Sequence, residues 1–460
     1  MSLIKSISGI RGTIGGRVSE NLTPIDTVAF AAAYGTWLRN NSSKDSLTVV
    51  LGRDARKSGH MISSLVANTL VGLGIHVMDV GLSTTPTVEV AVTLAQADGG
   101  IIITASHNPK QWNALKLLNA RGEFINAQDG EEVLQLAAAN AYDFAEVDQL
   151  GTYTKKDGYI QRHIAEVLKL SLVDVEAIRK ANFKVVVDAV NSTGGLAIPP
   201  LLEALGVTCV PLYCEPTGEF PHNPEPLQEH LTDISQLVVE KAADLGIVVD
   251  PDVDRLAFVC EDGSMFGEEY TLVACADYVL TKVKGNTVSN LSSSRALRDV
   301  TEKHGAVYTA SAVGEVNVVQ MMKETNAVIG GEGNGGIIYP AAHYGRDSLV
   351  GIALFLSHLA QRQLSCKQLR ETYPDYFMAK QKIVLTPEIA VDALLDAMVR
   401  KYQAAELTTI DGVKINIDRG WVHLRKSNTE PIIRIYTESD SQEAADALAA
   451  RFIDELRELS

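Results

Sequence analysis

The chain has 460 residues, of which 46% are apolar and 21% charged, and this globular composition excludes a largely disordered protein. Its 57 acidic and 41 basic side chains give a formal charge of −16, which argues against nucleic acid or an anionic membrane as a general partner. Five cysteines without a CxxC pair argue against a disulfide framework or a zinc site. The N-terminus lacks the apolar run of a signal peptide, and no stretch approaches a membrane span. We expect a cytoplasmic protein with a small-molecule partner.

Short β-rich runs alternate with amphipathic helical segments from residue 47 onward, which predicts parallel α/β layers. Strands are expected at 47–52, 75–81 and 99–104, with helices at 58–73 and 87–95 between them. The same alternation restarts near residue 183 and again near residue 286. We therefore predict three related α/β domains in tandem.

The pattern changes after residue 377, where strand-like runs are followed by a helix at 442–459. This order predicts a smaller α+β domain at the C-terminus. The expected domains span residues 1–150, 151–255, 256–372 and 373–460.

The run TASHNP, residues 104–109, places Ser106 and His107 at the end of the third predicted strand, with Lys116 beyond. Asn and Pro form turns, which would explain the run without any function. However, ligands of open α/β sheets bind at the carboxyl ends of the strands. Ser106 is therefore a candidate nucleophile or phosphoryl carrier. The absence of a GxSxG motif argues against a serine hydrolase.

Asp250, Asp252 and Asp254 alternate directly after the apolar run at 246–249. A hard divalent cation would relieve the repulsion between three such carboxylates. An EF-hand is excluded because Arg255 stands where that loop needs glycine and a strand follows at once. An aspartyl-phosphate hydrolase with Asp250 as nucleophile remains an alternative.

The glycine-rich run at 330–336 contains Glu332 and Asn334, whose polar groups suit sugar hydroxyls. Its glycines allow a close approach of the backbone to a ligand. The run does not end in GK[ST], so it is not a Walker loop.

A basic run at 425–431 is the fourth cluster, with Arg434 beyond it. Guanidinium groups, hydroxyls and backbone amides together form a plausible phosphate site. Since the four clusters fall in four predicted domains, we expect a cleft between domains. The phosphate-site candidates are Arg425, Ser427, Asn428, Thr429 and Arg434.

Taken together, the motifs resemble those of the α-D-phosphohexomutase family across essentially the whole chain. TASHNP is similar to its phosphoserine loop, and DPDVDR (250–255) to its metal loop. GEGNGG (331–336) is similar to its sugar loop, and RKSNTEP (425–431) to its phosphate loop. SGIRG (8–12) resembles its N-terminal arginine motif.

This resemblance implies three related α/β domains and a TBP-like fourth domain, arranged in a heart shape around a central cleft. It implies that Ser106 carries the phosphoryl group and exchanges it with a hexose monophosphate through a bound hexose 1,6-bisphosphate. One Mg²⁺ would be held by the phosphoserine and the three aspartates. Arg11, Arg255 and Lys116 would offset the remaining charge, and Lys116 or His107 would relay a proton.

The sugar is less closely specified by the resemblance. GEGNGG with Asn334 is similar to phosphoglucosamine mutases, whereas Gly336 stands where some members carry histidine. The loop before Val313-Gly314 lacks a lysine that many members have. We favour glucosamine phosphate, with glucose or mannose phosphate as the alternative. A Mg²⁺-dependent sugar phosphatase and a silent sugar-phosphate binding protein are the rival classes.

Overall fold

The computed structural model describes residues 2–6, 9–384, 391–417, 419–426 and 432–459. It contains four sheets of seven, four, four and five strands in chain order. The α/β class and the four-domain organisation predicted from the sequence are confirmed. No helix within these ranges is long and apolar enough to cross a membrane.

The first domain packs four helices around a mixed seven-stranded sheet. The strands are Ile4–Ser6 (β1), Gly9–Thr13 (β2), Thr48–Arg53 (β3), His76–Leu82 (β4), Gly99–Ile103 (β5), Trp112–Leu118 (β6) and Tyr153–Lys155 (β7). The helices are Pro24–Asn40 (α1), Gly59–Gly72 (α2), Thr85–Leu94 (α3) and Ala127–Ala139 (α4). The sheet order is β1-β2-β6-β5-β3-β4-β7.

The second and third domains each contain a four-stranded sheet. Domain two comprises Tyr159–Leu168 (α5), Val175–Ala181 (α6), Lys184–Asp188 (β8), Gly194–Leu205 (α7), Thr208–Leu212 (β9), Thr232–Glu240 (α8), Leu245–Val249 (β10) and Leu256–Cys260 (β11). Domain three comprises Glu268–Lys282 (α9), Asn286–Asn290 (β12), Ala296–Lys303 (α10), Tyr308–Ser311 (β13), Glu315–Thr325 (α11), Ala327–Glu332 (β14), Gly336–Ile338 (β15), Ser348–Arg362 (α12) and Cys366–Arg370 (α13). The first and second sheets thus include strands just beyond residues 150 and 255.

The fourth domain is an antiparallel sheet with two helices. Its elements are Phe377–Val384 (β16), Val391–Lys401 (α14), Glu406–Thr408 (β17), Val413–Ile417 (β18), Gly420–Lys426 (β19), Ile432–Ser439 (β20) and Gln442–Leu459 (α15). The strand order is β16-β20-β19-β18-β17. The C-terminal α+β domain predicted from the sequence is therefore present.

The first three sheets share one topology. In each, a central strand (β3, β8 or β12) lies between two strands that run parallel to it. One of these two neighbours continues through a short turn into an antiparallel strand: β5 into β6, β10 into β11 and β14 into β15. The expectation of parallel layers was incomplete here, because these turns are too short for the crossover that a parallel strand needs. The turns, which we call the three hairpin turns, contain the first three polar clusters.

Apolar packing divides the molecule unevenly. The first and fourth domains have cores of their own, whereas the second and third share one continuous core. Phe258 of β11 stacks on Phe355 of α12 within that shared core, with ring centroids 3.7 Å apart. The second and third hairpin turns are therefore held in one rigid unit.

The fourth domain docks on the third through polar contacts. His423 Nδ1 lies 3.0 Å from Ser292 Oγ, and Lys414 Nζ donates to the carbonyl of Leu291 at 2.7 Å. Asp411 accepts from the backbone N–H of Val313 at 3.0 Å. These contacts position Arg425 and Arg434, two described residues of the fourth polar cluster, in the cleft that the hairpin turns line.

We expect acid to weaken this docking through His423. The imidazole is buried, its Nε2 faces the carbonyl of Asp411, and Lys414 and Arg425 lie nearby. Burial lowers the pKa of His423 to about 4. Below about pH 6.5 the unfolded chain binds a proton that the native imidazole does not, so the free energy of unfolding falls until the folded pKa is reached.

The expected loss is at most about 1.4 kcal/mol per pH unit between pH 6.5 and 4. Urea unfolding at several pH values should show a shallower loss in His423→Gln than in the unsubstituted protein. His60→Gln, at an exposed position on α2, is the matched control. Equal slopes for His423→Gln and the unsubstituted protein would contradict this account.

Candidate active site

The three hairpin turns and the fourth domain face one cleft with a volume of about 1030 Å³. The cleft brings together most of the side chains that the sequence singled out. Those that line it are Arg11, Ser106, His107, Lys116, Arg255, Glu332, Asn334, Arg425 and Arg434. Ser427, Asn428 and Thr429 lie outside the described residues.

Ser106 sits in the first hairpin turn with its side chain at the floor of the cleft. Its φ of 48° is in the left-handed region, which is uncommon for a residue other than glycine and is frequent at functional sites. The hydroxyl donates to Asp250 Oδ2 at 2.6 Å and lies 3.3 Å from His107 Nδ1. The turn thus aims the serine at the aspartates of the second domain.

A buried arginine holds this turn, and the sequence reading missed it. Arg56 donates to the backbone carbonyls of Ser106 at 2.5 Å and Asn108 at 2.6 Å. Its Nε pairs with Asp54 at 3.0 Å, and Asp54 also accepts from Thr104 at 2.7 Å. The charged run GRDAR, directly after an apolar strand, was the available signal. These contacts fix the backbone around Ser106.

The three predicted metal ligands are fully buried beside Ser106. Asp250, Asp252 and Asp254 each offer a carboxylate oxygen within 4.8 Å of the others. Oδ1 of both Asp252 and Asp254 is buried and has no hydrogen-bond partner among the described residues. Since buried carboxylate oxygens are rarely left unpaired, the arrangement fits a hard divalent cation with oxygen ligands.

Two cations already balance part of this charge. Lys116 Nζ lies 2.8 Å from Asp252 and 3.2 Å from Asp254, while Arg346 donates to Asp254 at 2.7 Å. Burial, together with Asp252 and Asp254, raises the pKa of Asp250. Burial would also raise the pKa of Asp254, but Arg346 and Lys116 lower it below its usual range. Lys116 is therefore engaged as the ion-pair partner of Asp252 and Asp254.

The backbone of the second hairpin turn has an unusual conformation at Val253. This residue has a φ of 66°, although the left-handed region is unfavourable for a β-branched side chain. Such strain costs about 1–3 kcal/mol and persists only where the surroundings impose it. Val253 therefore takes the backbone shape of a loop glycine, which keeps Asp252 and Asp254 on one side of the turn.

Three arginines give the cleft a positive character despite the acidic chain. The three are Arg11, Arg255 and Arg434. Burial lowers the pKa of Arg11, and the nearby charges of Arg434 and Arg255 lower it further. Nε of both Arg11 and Arg255 is buried without a hydrogen-bond partner within the described part of the chain. Burial, followed by Arg255, also lowers the pKa of His107, so its imidazole is neutral. The cluster is suited to bind an anionic group.

The third hairpin turn presents Glu332 and Asn334 to the cleft. Glu332 accepts from Asn290 at 2.7 Å and from Arg346 at 2.9 Å, which fixes its carboxylate. Asn334 Oδ1 accepts from the backbone N–H of Gly336 at 3.2 Å, so its amide NH₂ is available to a ligand. Hydrogen bonds within the protein thus hold the side chains of Glu332 and Asn334 in place.

A second carboxylate in this wall was not predicted from the sequence. Glu269, at the start of α9, accepts from the backbone N–H of Ser294 at 2.8 Å. Its carboxyl lies against Gly333, where an added Cβ would meet an Oε atom at 1.9 Å. Burial raises the pKa of Glu269 to about 8. No motif marks this residue, because its role depends on contact with the turn.

Two arginines of the fourth cluster lie on neighbouring antiparallel strands. Arg425 of β19 is directly opposite Arg434 of β20, and Arg425 Nε pairs with Asp411 at 2.8 Å. Lys380 and Tyr436 line the cleft beside them. The described part of this domain thus adds further positive charge to the cleft.

Outside the cleft, two histidines and an aspartate form a clamp between domains. His163 Nε2 and His343 Nε2 contact Asp347 Oδ2 at 2.8 and 3.0 Å. His163 Nδ1 also lies 2.9 Å from Thr87 Oγ1. These hydrogen bonds account for the grouping without a metal ion. The clamp joins the first three domains next to the hairpin turns.

Comparison with known proteins adds a family to this geometry. Models of the phosphoglucomutase/phosphomannomutase family match four successive segments of the chain. These are α/β/α domain I at residues 4–143, α/β/α domain II at 157–263, α/β/α domain III at 267–376 and the C-terminal domain at 386–455.

Individual relatives cover almost the whole chain. A phosphoglucomutase/phosphomannomutase of Thermococcus kodakarensis is 35% identical over 94% of this chain and 95% of its own length. A phosphoglucosamine/phosphogalactosamine mutase of Sulfurisphaera tokodaii is 32% identical over 100% and 99%. The crystal structure of a Burkholderia thailandensis family protein has a TM-score of 0.84 at 26% identity, covering 99% and 97%. The chain therefore belongs to the α-D-phosphohexomutase family and is an intramolecular phosphotransferase.

Proposed function

We propose that this protein interconverts hexose 6-phosphates and hexose 1-phosphates through a phosphorylated Ser106 and a bound hexose 1,6-bisphosphate, with glucosamine phosphate as the preferred substrate. The observation that carries the proposal is the contact of Ser106 Oγ with Asp250 at 2.6 Å, beside an arginine cluster that lines the same cleft. Phosphoryl transfer depends on positioning and charge neutralisation more than on a strong nucleophile.

In the forward step, the bond between phosphorus and Ser106 Oγ breaks while a bond forms to a sugar hydroxyl oxygen. The hydroxyl proton must leave to a base as this happens. His107 is the nearer candidate, because its Nδ1 lies 3.3 Å from Ser106 Oγ. Lys116 Nζ is held between Asp252 and Asp254 instead. After the bisphosphate turns around, its other phosphoryl group returns to Ser106.

Asp250, Asp252 and Asp254 would hold one Mg²⁺, with an oxygen of the phosphoserine as a further ligand. Bound there, the ion supplies charge neutralisation at the transferring group. The two unpartnered Oδ1 atoms of Asp252 and Asp254 support this assignment. Arg11, Arg255 and Arg434 would bind the phosphate that is not being transferred, with Arg425 beside them.

The preference for glucosamine phosphate is supported by the acidic wall opposite the serine. Glu269, with a pKa of about 8, lies in this wall with Glu332 and Asn334. An ammonium group at C2 would favour the charged form of Glu269, which a neutral hydroxyl cannot do. The name of the Sulfurisphaera tokodaii relative points the same way. Glucose or mannose phosphate is the second candidate, because the 35% identical relative has that name.

The test compares kcat/KM for glucosamine, glucose and mannose 1-phosphates with Mg²⁺ and a bisphosphate primer. We expect glucosamine 1-phosphate to lead by about tenfold or more, as one or two polar contacts allow. Glu269→Gln should reduce that lead to about threefold or less, since it removes the charge but keeps the shape.

Glu268→Gln is the matched control, because this neighbour on α9 pairs with Lys380 at 3.6 Å. A lead for glucose or mannose phosphate would reverse the sugar assignment and leave the phosphoserine mechanism intact. An unchanged lead in Glu269→Gln would remove Glu269 from the explanation.

A further inference from the structure

Arg346 joins two loops that have separate tasks in the proposed function. Its Nη2 donates to Asp254 at 2.7 Å in the second hairpin turn, and its Nη1 donates to Glu332 at 2.9 Å in the third. Its Nε and backbone N–H both donate to Glu315, at 3.0 and 2.9 Å. The side chain is buried to more than nine-tenths, so water does not screen these contacts.

The sequence around the third hairpin turn is adapted to this arginine. A Cβ added to Gly336 would lie 2.3 Å from Arg346 Cδ and 3.0 Å from its Cγ. The arginine stem thus fills the space that any side chain at position 336 would need. The presence of Arg346 therefore explains why position 336 of this chain is a glycine.

We propose that Arg346 couples the divalent cation site to sugar recognition, so that each ligand strengthens the binding of the other. The identity of the two ligands rests on the proposed function. A cation on the aspartates weakens the attraction between Asp254 and the guanidinium, which can then bind Glu332 and Glu315 more tightly. Glu332, which already accepts from Arg346, is thereby held more tightly in its place beside the sugar site, and thermodynamic linkage makes the effect reciprocal.

Direct attraction between Mg²⁺ and the phosphate group would also make the two ligands strengthen each other's binding. The experiment must therefore separate this attraction from the effect of Arg346. Calorimetric titrations of Ser106→Ala with glucosamine 1-phosphate and with inorganic phosphate, each with and without Mg²⁺, separate the two effects. We expect Mg²⁺ to increase the affinity for glucosamine 1-phosphate by a factor at least fivefold larger than its effect on the affinity for inorganic phosphate. The reverse titration should show the same factor for Mg²⁺.

Two different variants test the role of Arg346. Arg346→Lys keeps the charge but cannot reach three carboxylates, and Gly336→Ala displaces the arginine stem without altering any charge. Both should reduce the fivefold excess to less than twofold. Arg362→Lys, at the exposed C-terminal end of α12, should keep it.

The outcomes separate this inference from the proposed function. Failure of both the unsubstituted and the Ser106→Ala proteins to bind either Mg²⁺ or glucosamine 1-phosphate would overturn the proposed function itself. Binding of both ligands without excess coupling would overturn only the role of Arg346, as would an undiminished excess in a folded Arg346→Lys or Gly336→Ala protein. The comparison of glucosamine 1-phosphate with inorganic phosphate needs no substitution at Arg346. It can therefore refute the inference even if the Arg346→Lys and Gly336→Ala proteins do not fold.

Discussion

Ser106→Ala is expected to lower mutase turnover by at least about a thousandfold, because it removes the hydroxyl that we propose carries the phosphoryl group between substrate and product. The substitution removes only the two hydrogen bonds that the structure gives the Ser106 hydroxyl, to Asp250 and His107, so the fold should persist. The measurement combines steady-state turnover with intact mass after incubation with a hexose 1,6-bisphosphate. The unsubstituted protein should gain one phosphoryl group on the peptide that contains Ser106.

Ser64→Ala is the control for the loss of a serine hydroxyl, since among the described contacts the Ser64 hydroxyl donates only to the backbone carbonyl of His60. It should keep both turnover and phosphorylation. Normal turnover in Ser106→Ala would refute the phosphoserine mechanism. Release of inorganic phosphate by Ser106→Ala, abolished in Asp250→Asn, would favour the sugar phosphatase instead.

Asp250→Asn is expected to abolish the response of the protein to Mg²⁺. A ligand at a hundred times its Kd stabilises a folded protein by about 2.7 kcal/mol, and the variant should lose a gain of this size. Without Mg²⁺ the variant should be at least as stable as the unsubstituted protein, because burial and two neighbouring carboxylates already raise the pKa of Asp250. Turnover should fall with the loss of Mg²⁺ binding.

Thermal unfolding with and without Mg²⁺, after treatment with a chelator, measures both effects. Asp262→Asn is the matched control, because Asp262 lies beyond the far end of β11 and pairs with exposed Lys367. It should respond to Mg²⁺ like the unsubstituted protein. A full Mg²⁺ response in Asp250→Asn would place the cation elsewhere.

Features that depend on local sequence were predicted correctly. The strands at 48–53 and 99–103 and the helix at 442–459 follow from runs of apolar residues and their spacing. Ser106 and the three aspartates stood out because polar residues crowd at the ends of buried strands. That these groups share a cleft between domains was expected from the four clusters, whereas the direct pairing of Ser106 with the aspartates could be inferred only through the family resemblance.

Features that depend on distant pairing were missed. Arg56 lies 50 residues from Ser106, and Arg346 lies 92 residues from Asp254. A single arginine in a sequence is usually a solvated surface residue, and nothing nearby shows that it meets a carboxylate or carbonyl across the fold. The antiparallel strands were missed for a related reason, since turn length rather than hydrophobic pattern decides their direction.

The equivalence of the three hairpin turns bears on how such an enzyme can change over evolution. Each turn occupies the same position of a repeated unit and is held by its own sheet, yet one carries the serine, one the aspartates and one Glu332. A unit copied three times could thus diverge turn by turn, with each copy free to specialise while its scaffold stayed constant. The price of that division is that no single domain retains a complete site, and a change in the third turn can reach the aspartates of the second through Arg346.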